Sequence, residues 1–205
     1  MDTLNKLSEL FVRFPGIGPR QAKRFVYFLL ASPSGYREEL MRLIAELRNI
    51  VAVCAECQRF FTAEKKTTLC TICANPRRDK ELLMIVEKDV DLENIEKARA
   101  WSGTYFVLGG TIPVLEKNPK EVIRTKQLQK LLEERGKSKP LKEIVFALSL
   151  TSEGENTAEF LREFLLPLQT KYGWNISMLG RGLSTGSELE YSDPETIRNA
   201  LKNRQ

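Results

Sequence analysis

The chain contains no histidine. That absence removes Ser-His-Asp and Cys-His catalysis and every histidine-ligated metal site, leaving carboxylates, Lys, Ser and Tyr for any chemistry. No Gly-x4-Gly-Lys-Ser/Thr run occurs, which excludes a phosphate-cradling P-loop and an ATP-driven motor built on one. No apolar stretch approaches the ~20 residues of a membrane-spanning helix. With 42% hydrophobic and 29% charged residues, the composition is that of a globular protein and excludes wholesale disorder. The net charge of +5 is unevenly placed: residues 1–80 carry 14 Lys+Arg against 8 Asp+Glu, whereas residues 81–205 carry 18 against 19. Such asymmetry suggests a polyanion partner for the N-terminal part, an ordinary solvated face being the alternative.

Cysteine is scarce but concentrated. All four lie in Cys54-Ala55-Glu56-Cys57 and Cys70-Thr71-Ile72-Cys73, two Cys-x2-Cys pairs twelve residues apart. Each pair sets two thiolates on one tight knuckle, and two facing knuckles supply the tetrahedral sulfur shell a structural zinc prefers. Four protein ligands leave no open position for water, so such a metal holds a fold together rather than activating a nucleophile. Two disulfides are the competing reading. The N-terminal stretch lacks the charged-then-apolar pattern of a secretory signal, so a reducing cytoplasm is expected, which disfavours them.

Ahead of the knuckles, Leu4, Leu7, Leu10 and Phe11 recur at helical spacing over residues 2–13, and Ala22, Phe25, Val26 and Leu29 do so over 20–30. Between them, Phe14-Pro15-Gly16-Ile17-Gly18-Pro19 cannot be helical throughout. The pattern resembles a helix-hairpin-helix DNA-binding motif. Gly16 and Gly18 would let backbone N–H groups approach a phosphate at the second helix's N-terminus, with Arg20, Lys23 and Arg24 on its first turns. A glycine-rich turn joining two core helices, with solvated cations, is the alternative. A further helix is expected over 38–50, with Leu40, Leu43, Ile44 and Leu47 on one side.

Beyond the knuckles, strands are expected at 82–86, 104–108, 143–150 and 175–179, and helices at 91–101, 120–134, 155–172 and 194–201. Alternation of this kind implies an α/β fold with a mainly parallel sheet covered on both faces, whose ligand edge is at the strands' C-terminal ends. Glu87 follows the first strand, and Thr151-Ser152-Glu153-Gly154-Glu155 follows the third. Their layout resembles a Toprim domain, in which a glutamate and a later Asp-x-Asp bind magnesium; here Ser149 and Thr151 stand where those acidic residues are expected. Glu155, near a helix N-terminus, also suits a structural role against the dipole. Trp101, Tyr105 and Trp174 read as core rather than as base-stacking groups.

Taken in order, FPGIGPRQAKRF, CAEC and CTIC, NPRR, IVE, LGG, TSEGENTA and RGLSTGSELEYSD resemble the RecR family of recombination mediators over nearly the whole chain. The resemblance implies a helix-hairpin-helix region for DNA binding and oligomerisation (1–53), a four-cysteine zinc finger (54–73), a Toprim domain (81–178) and a C-terminal tail in oligomer contact (179–205). It also implies a non-catalytic, ring-tetrameric clamp that works with RecO, and RecF in some members, to load recombinase on gapped DNA in recombinational repair. By the same resemblance, one structural Zn2+ per chain is held by Cys54, Cys57, Cys70 and Cys73. DNA is met without sequence preference at Gly16, Gly18, Arg20, Lys23 and Arg24, and Glu87, Glu153 and Glu155 form a vestigial Toprim site, Glu153 being the partner contact. A magnesium-dependent Toprim nuclease, primase or topoisomerase-like enzyme is the rival. The chain departs from the family at Ser149-Leu150 and at Ile112-Pro113-Val114-Leu115-Glu116.

Overall fold

The computed structural model describes residues 2–63, 67–138, 141–180 and 194–202. Most of the expected C-terminal tail, 181–193 and 203–205, lies outside them. The chain forms two compact units, Met1–Val51 and Ala52–Gln205.

In the first unit, α1 (Thr3–Val12) begins at Asp2, whose side chain accepts from the Leu4 N–H. After a tight turn closed by Ile17 N–H to Phe14 O (3.1 Å), α2 (Pro19–Ala31) follows with Pro in its first turn, where a missing N–H costs nothing. Ala22 and Val26 are buried, and Phe11 meets Phe25 edge to face at 5.7 Å. The third helix, α3 (Ser34–Ile50), starts four residues earlier than the expected 38. Pro33 ends α2, and Ser34-Gly35 then belong to the next helix's first turn rather than to a loop. Arg37 donates to the Leu29 and Ser32 carbonyls, satisfying groups left open at the end of α2. None of α3's residues is buried, and Met41, Leu43, Ile44 and Leu47 are all exposed.

A two-stranded sheet of β1 (Val51–Val53), whose first residue closes the first unit, and β2 (Phe60–Thr62) flanks the first knuckle. Then come β3 (Asp79–Val86), α4 (Asp89–Ala98), β4 (Gly103–Val107), α5 (Pro119–Val122), α6 (Thr125–Ser138), β5 (Glu143–Ala147), α7 (Ser152–Tyr172), β6 (Asn175–Met178) and α8 (Pro194–Lys202). The larger sheet has the order β4-β3-β5-β6 and is parallel throughout, with Val86 opposite Val107 on one side and Ala147 on the other. Among the described residues, no helix is long and apolar enough to cross a membrane.

Alternate residues of each strand serve different cores, as the two-residue period of a strand requires. Leu83, Ile85, Phe106, Ile144 and Phe146 pack with α6 and α7 through Leu128, Leu132, Leu161 and Leu165. Met84, Val86, Tyr105, Val107, Val145 and Ala147 face the other way, against Leu92 of α4 and all four cysteines. The knuckles are thus a covering layer of the sheet. Tyr105 and Trp174 are core residues, and Trp101 is partly buried with its indole N–H donated to the Thr104 carbonyl.

One expected helix is two. The run 120–134 breaks at Ile123-Arg124, because the Arg124 N–H bonds to the Leu108 carbonyl (3.0 Å) beyond β4 instead of continuing a helix, and Ile123 is driven into the core.

Candidate metal centre and nucleic-acid interface

The four cysteine sulfurs lie within 4.8 Å of one another, and all four residues are buried. All are free thiols, and Cys57 Sγ lies 3.6 Å from Cys70 Sγ, far longer than a disulfide bond of about 2.05 Å. The corners of a tetrahedron with metal–sulfur bonds of about 2.3 Å are about 3.8 Å apart, so the spacing suits a bound metal. Packed this closely, the sulfurs cannot all ionise unaided. Hydrogen bonds from Cys57, Cys70 and Cys73 push the Cys54 thiol far down, whereas the hydrogen bonds with Cys54 and with Cys70, together with burial, push Cys57 and Cys73 up. A divalent cation removes that conflict. The donor set fits one, and the cluster can hold a metal ion.

Several side chains set the first knuckle. Gln58 sits at φ 62°, a left-handed conformation costing a non-glycine residue roughly 1–2 kcal/mol. Its amide donates to the Cys54 and Ala55 carbonyls (both 3.2 Å), closing the turn on itself. From outside, Arg124 Nη1 donates to the Gln58 carbonyl at 2.6 Å, and Arg135 pairs with Glu56 at 3.2 Å while donating to Thr104 Oγ1 at 2.7 Å. The Cys57 carbonyl accepts from the Val107 N–H at 2.8 Å, which ties the knuckle to the β4 edge. These supports carry no spacing signature, and sequence reading did not single them out.

At the hairpin, Gly16 takes φ 77° and Gly18 is the N-cap of α2, without a side-chain cap. A Cβ on either glycine would meet nothing within 4 Å. The space beside this helix end is therefore open, and since Pro19 has no N–H, the first backbone donors are those of Arg20 and Gln21. Arg20, Lys23 and Arg24 are exposed, with Arg24 within 3.3 Å of the Gln21 side-chain oxygen.

The carboxylates of the sheet edge are placed differently from one another. Glu87 is buried just past β3, and its carboxylate accepts the Ser149 N–H at 2.5 Å. Ser149 and Thr151 hydroxyls are 3.0 Å apart, and Thr151 caps α7 by accepting the Gly154 N–H. Because this cap starts α7 at Ser152, three residues before the expected 155, Glu153 and Glu155 both stand exposed in its first turn. Thr111 donates to Glu153 at 3.2 Å. Among the described residues, the four cysteines alone form a group of three or more metal-ligating side chains within reach of one ion, so Glu87, Glu153 and Glu155 do not gather into one such cluster.

A model of the Toprim domain family matches residues 81–179, and one described as RecR, C-terminal, matches residues 182–205. The chain is 36% identical over 200 residues to the Recombination protein RecR of Roseiflexus castenholzii, covering 98% of this chain and 92% of that protein. Against the protein of the same name from Pelotomaculum thermopropionicum it is 36% identical, covering 98% and 94%. Against that of Bifidobacterium longum subsp. infantis it is 34% identical over 203 residues, covering 98% and 95%.

Proposed function

Since the chain belongs to the RecR family of recombination proteins, and is a recombination-repair protein rather than an enzyme, we propose that it works as a zinc-stabilised clamp on DNA. The observation that carries this reading is the uncapped N-terminus of α2, which opens onto free space beside Gly16 and Gly18 and is flanked by exposed Arg20, Lys23 and Arg24. Backbone N–H groups and the positive helix end receive a phosphate there, and the cations hold the neighbouring phosphates without reading bases. The DNA is double-stranded or gapped, and binding is insensitive to sequence. One Zn2+ per chain sits on Cys54, Cys57, Cys70 and Cys73 as a structural ion.

The exposed apolar residues of α1, α2 and α3 are covered by a second copy of the chain, and such contacts build a ring tetramer. Glu153, exposed at the sheet edge, is the contact for RecO, with RecF as a further partner, and the compartment is the cytoplasm. Arg20→Glu with Arg24→Glu, measured by fluorescence anisotropy on a gapped duplex, is expected to lower affinity at least a hundredfold. Binding equal to wild type overturns the hairpin as the DNA site.

A further inference from the structure

Arg124 occupies the break between α5 and α6 and touches three parts of the second unit at once. One nitrogen, Nη1, donates to the Gln58 carbonyl at 2.6 Å and to the Val107 carbonyl at 3.1 Å, a use for both of its hydrogens. Its guanidinium lies 5.8 Å from the Phe60 ring centre on β2. Its backbone N–H is bonded to Leu108, and a Cβ on Gly109 would come within 3.3 Å of its Nε, so the side chain passes directly beneath the segment that leaves β4. That segment leads to Thr111, which donates to Glu153, and to Ile112, whose N–H is held by Thr157 Oγ1 at 2.8 Å and whose carbonyl accepts from Asn156.

We propose that Arg124 is a positioning residue for the metal centre and couples metal retention to the C-terminal edge of the sheet that carries Glu153. Gln58 follows the ligand Cys57 in a strained conformation, and a strained turn keeps its shape only while its surroundings hold it. Arg124 supplies that hold from the sheet side. Because the same nitrogen grips the Val107 carbonyl, the knuckle cannot relax without releasing the root of the 109–116 segment. The coupling is reciprocal in free energy: whatever orders the edge tightens metal binding, and metal loss loosens the edge. Arginine suits the position because one guanidinium nitrogen spans two carbonyls while the planar, weakly hydrated cation sits over the Phe60 ring, which a compact, strongly hydrated lysine ammonium matches less well.

The inference rests on the four cysteines holding zinc, and its test separates the two. Zinc-loaded wild type, Arg124→Ala and Arg124→Lys are mixed with a chromogenic chelator to follow metal release, and amide exchange at Leu108 and Gly109 is measured in each with and without metal. Supporting groups around bound metals typically contribute ten- to a hundredfold in affinity. Arg124→Ala is accordingly expected to release zinc about ten- to a hundredfold faster, with Arg124→Lys in between. In wild type, metal removal should speed exchange at Leu108 and Gly109; in Arg124→Ala, exchange should already be fast and respond little to metal. Release at the wild-type rate in both variants, or edge exchange in wild type that ignores metal, overturns the proposal. Wild-type protein that neither contains nor takes up zinc sinks the metal reading itself.

Discussion

Glu96 of α4 is hydrogen-bonded by Arg78 and by the fully buried Tyr105 hydroxyl, the latter at 2.6 Å, and Arg78 also donates to the Trp101 and Gly103 carbonyls. Burial opposes the charge on Glu96, but the hydrogen bonds from Arg78 and Tyr105 outweigh it and hold the carboxyl below its ordinary value of 4.5. A depressed carboxyl favours the folded state above the unfolded pKa and loses that contribution as pH falls through the folded one. Urea midpoints should therefore drop more steeply below pH 4.5 in wild type than in Glu96→Gln, which has no charge left to lose there and is the less stable protein at pH 7. Gly154 is a second sensitive point, since a Cβ there would lie 2.1 Å from the Ser149 carbonyl. Gly154→Ala must move either α7 or the Ser149 backbone that Glu87 holds, and a cost of about 1–3 kcal/mol in urea unfolding is expected. The sequence announced the four cysteines because metal ligands come in fixed local spacings. Arg124 and the Glu56–Arg135 pair were illegible because their partners are 66 and 79 residues away and reach them only through the fold.

The strands and helices of the sheet were legible as elements because each is a short apolar run or a helical stripe bounded by polar turns, and their alternation implied parallel order. Boundaries failed in two ways: α6 starts late because the distant Leu108 carbonyl claims the Arg124 N–H, and α7 starts early because of a local bond, the Thr151 hydroxyl capping the Gly154 N–H. The knuckles were harder to read. The spacing of the cysteines pointed to a four-cysteine finger over 54–73 but gave no sign of the sheet beside it, and yet those cysteines share a core with Met84, Val86, Tyr105 and Val107. A structural zinc is worth roughly 10–16 kcal/mol in isolated finger peptides at neutral pH, and here that energy bears on the sheet as well. Cys54→Ser is thus expected to lower the unfolding midpoint of the sheet and finger together in a single transition. A metal-free finger that melts separately while the sheet's midpoint stays at the wild-type value contradicts this. Acid should release the metal, since protons compete for the thiolates.

At the scale of the whole molecule, the first unit leaves its own apolar surface uncovered. A groove of about 750 Å³ is lined by Leu4, Leu7, Leu10, Phe14, Met41 and Ile44 among others, and Leu10, Met41 and Ile44 are each more than half exposed. Contiguous apolar surface of this kind marks an interaction site, and the occupant proposed for it is another copy of the chain. Pairing would bring a second set of Arg20, Lys23 and Arg24 onto the same DNA. A single nonspecific site binds with dissociation constants of roughly 10⁻⁴–10⁻⁶ M at physiological salt, whereas linked sites gain through effective concentration. Oligomer state and DNA affinity should therefore fall together when the groove is spoiled, and separate when only the cations are reversed. Leu10→Asp is the cleaner test than a change at the half-buried Leu7, because an exposed side chain can be charged without emptying the monomer's core. It is expected to reduce solution mass in light scattering and to weaken binding to gapped DNA at least tenfold. Arg20→Glu with Arg24→Glu should keep the wild-type mass while losing DNA and its steep dependence on salt. A Leu10→Asp protein that is monomeric yet binds DNA as wild type does would show that one hairpin suffices and that assembly serves another purpose.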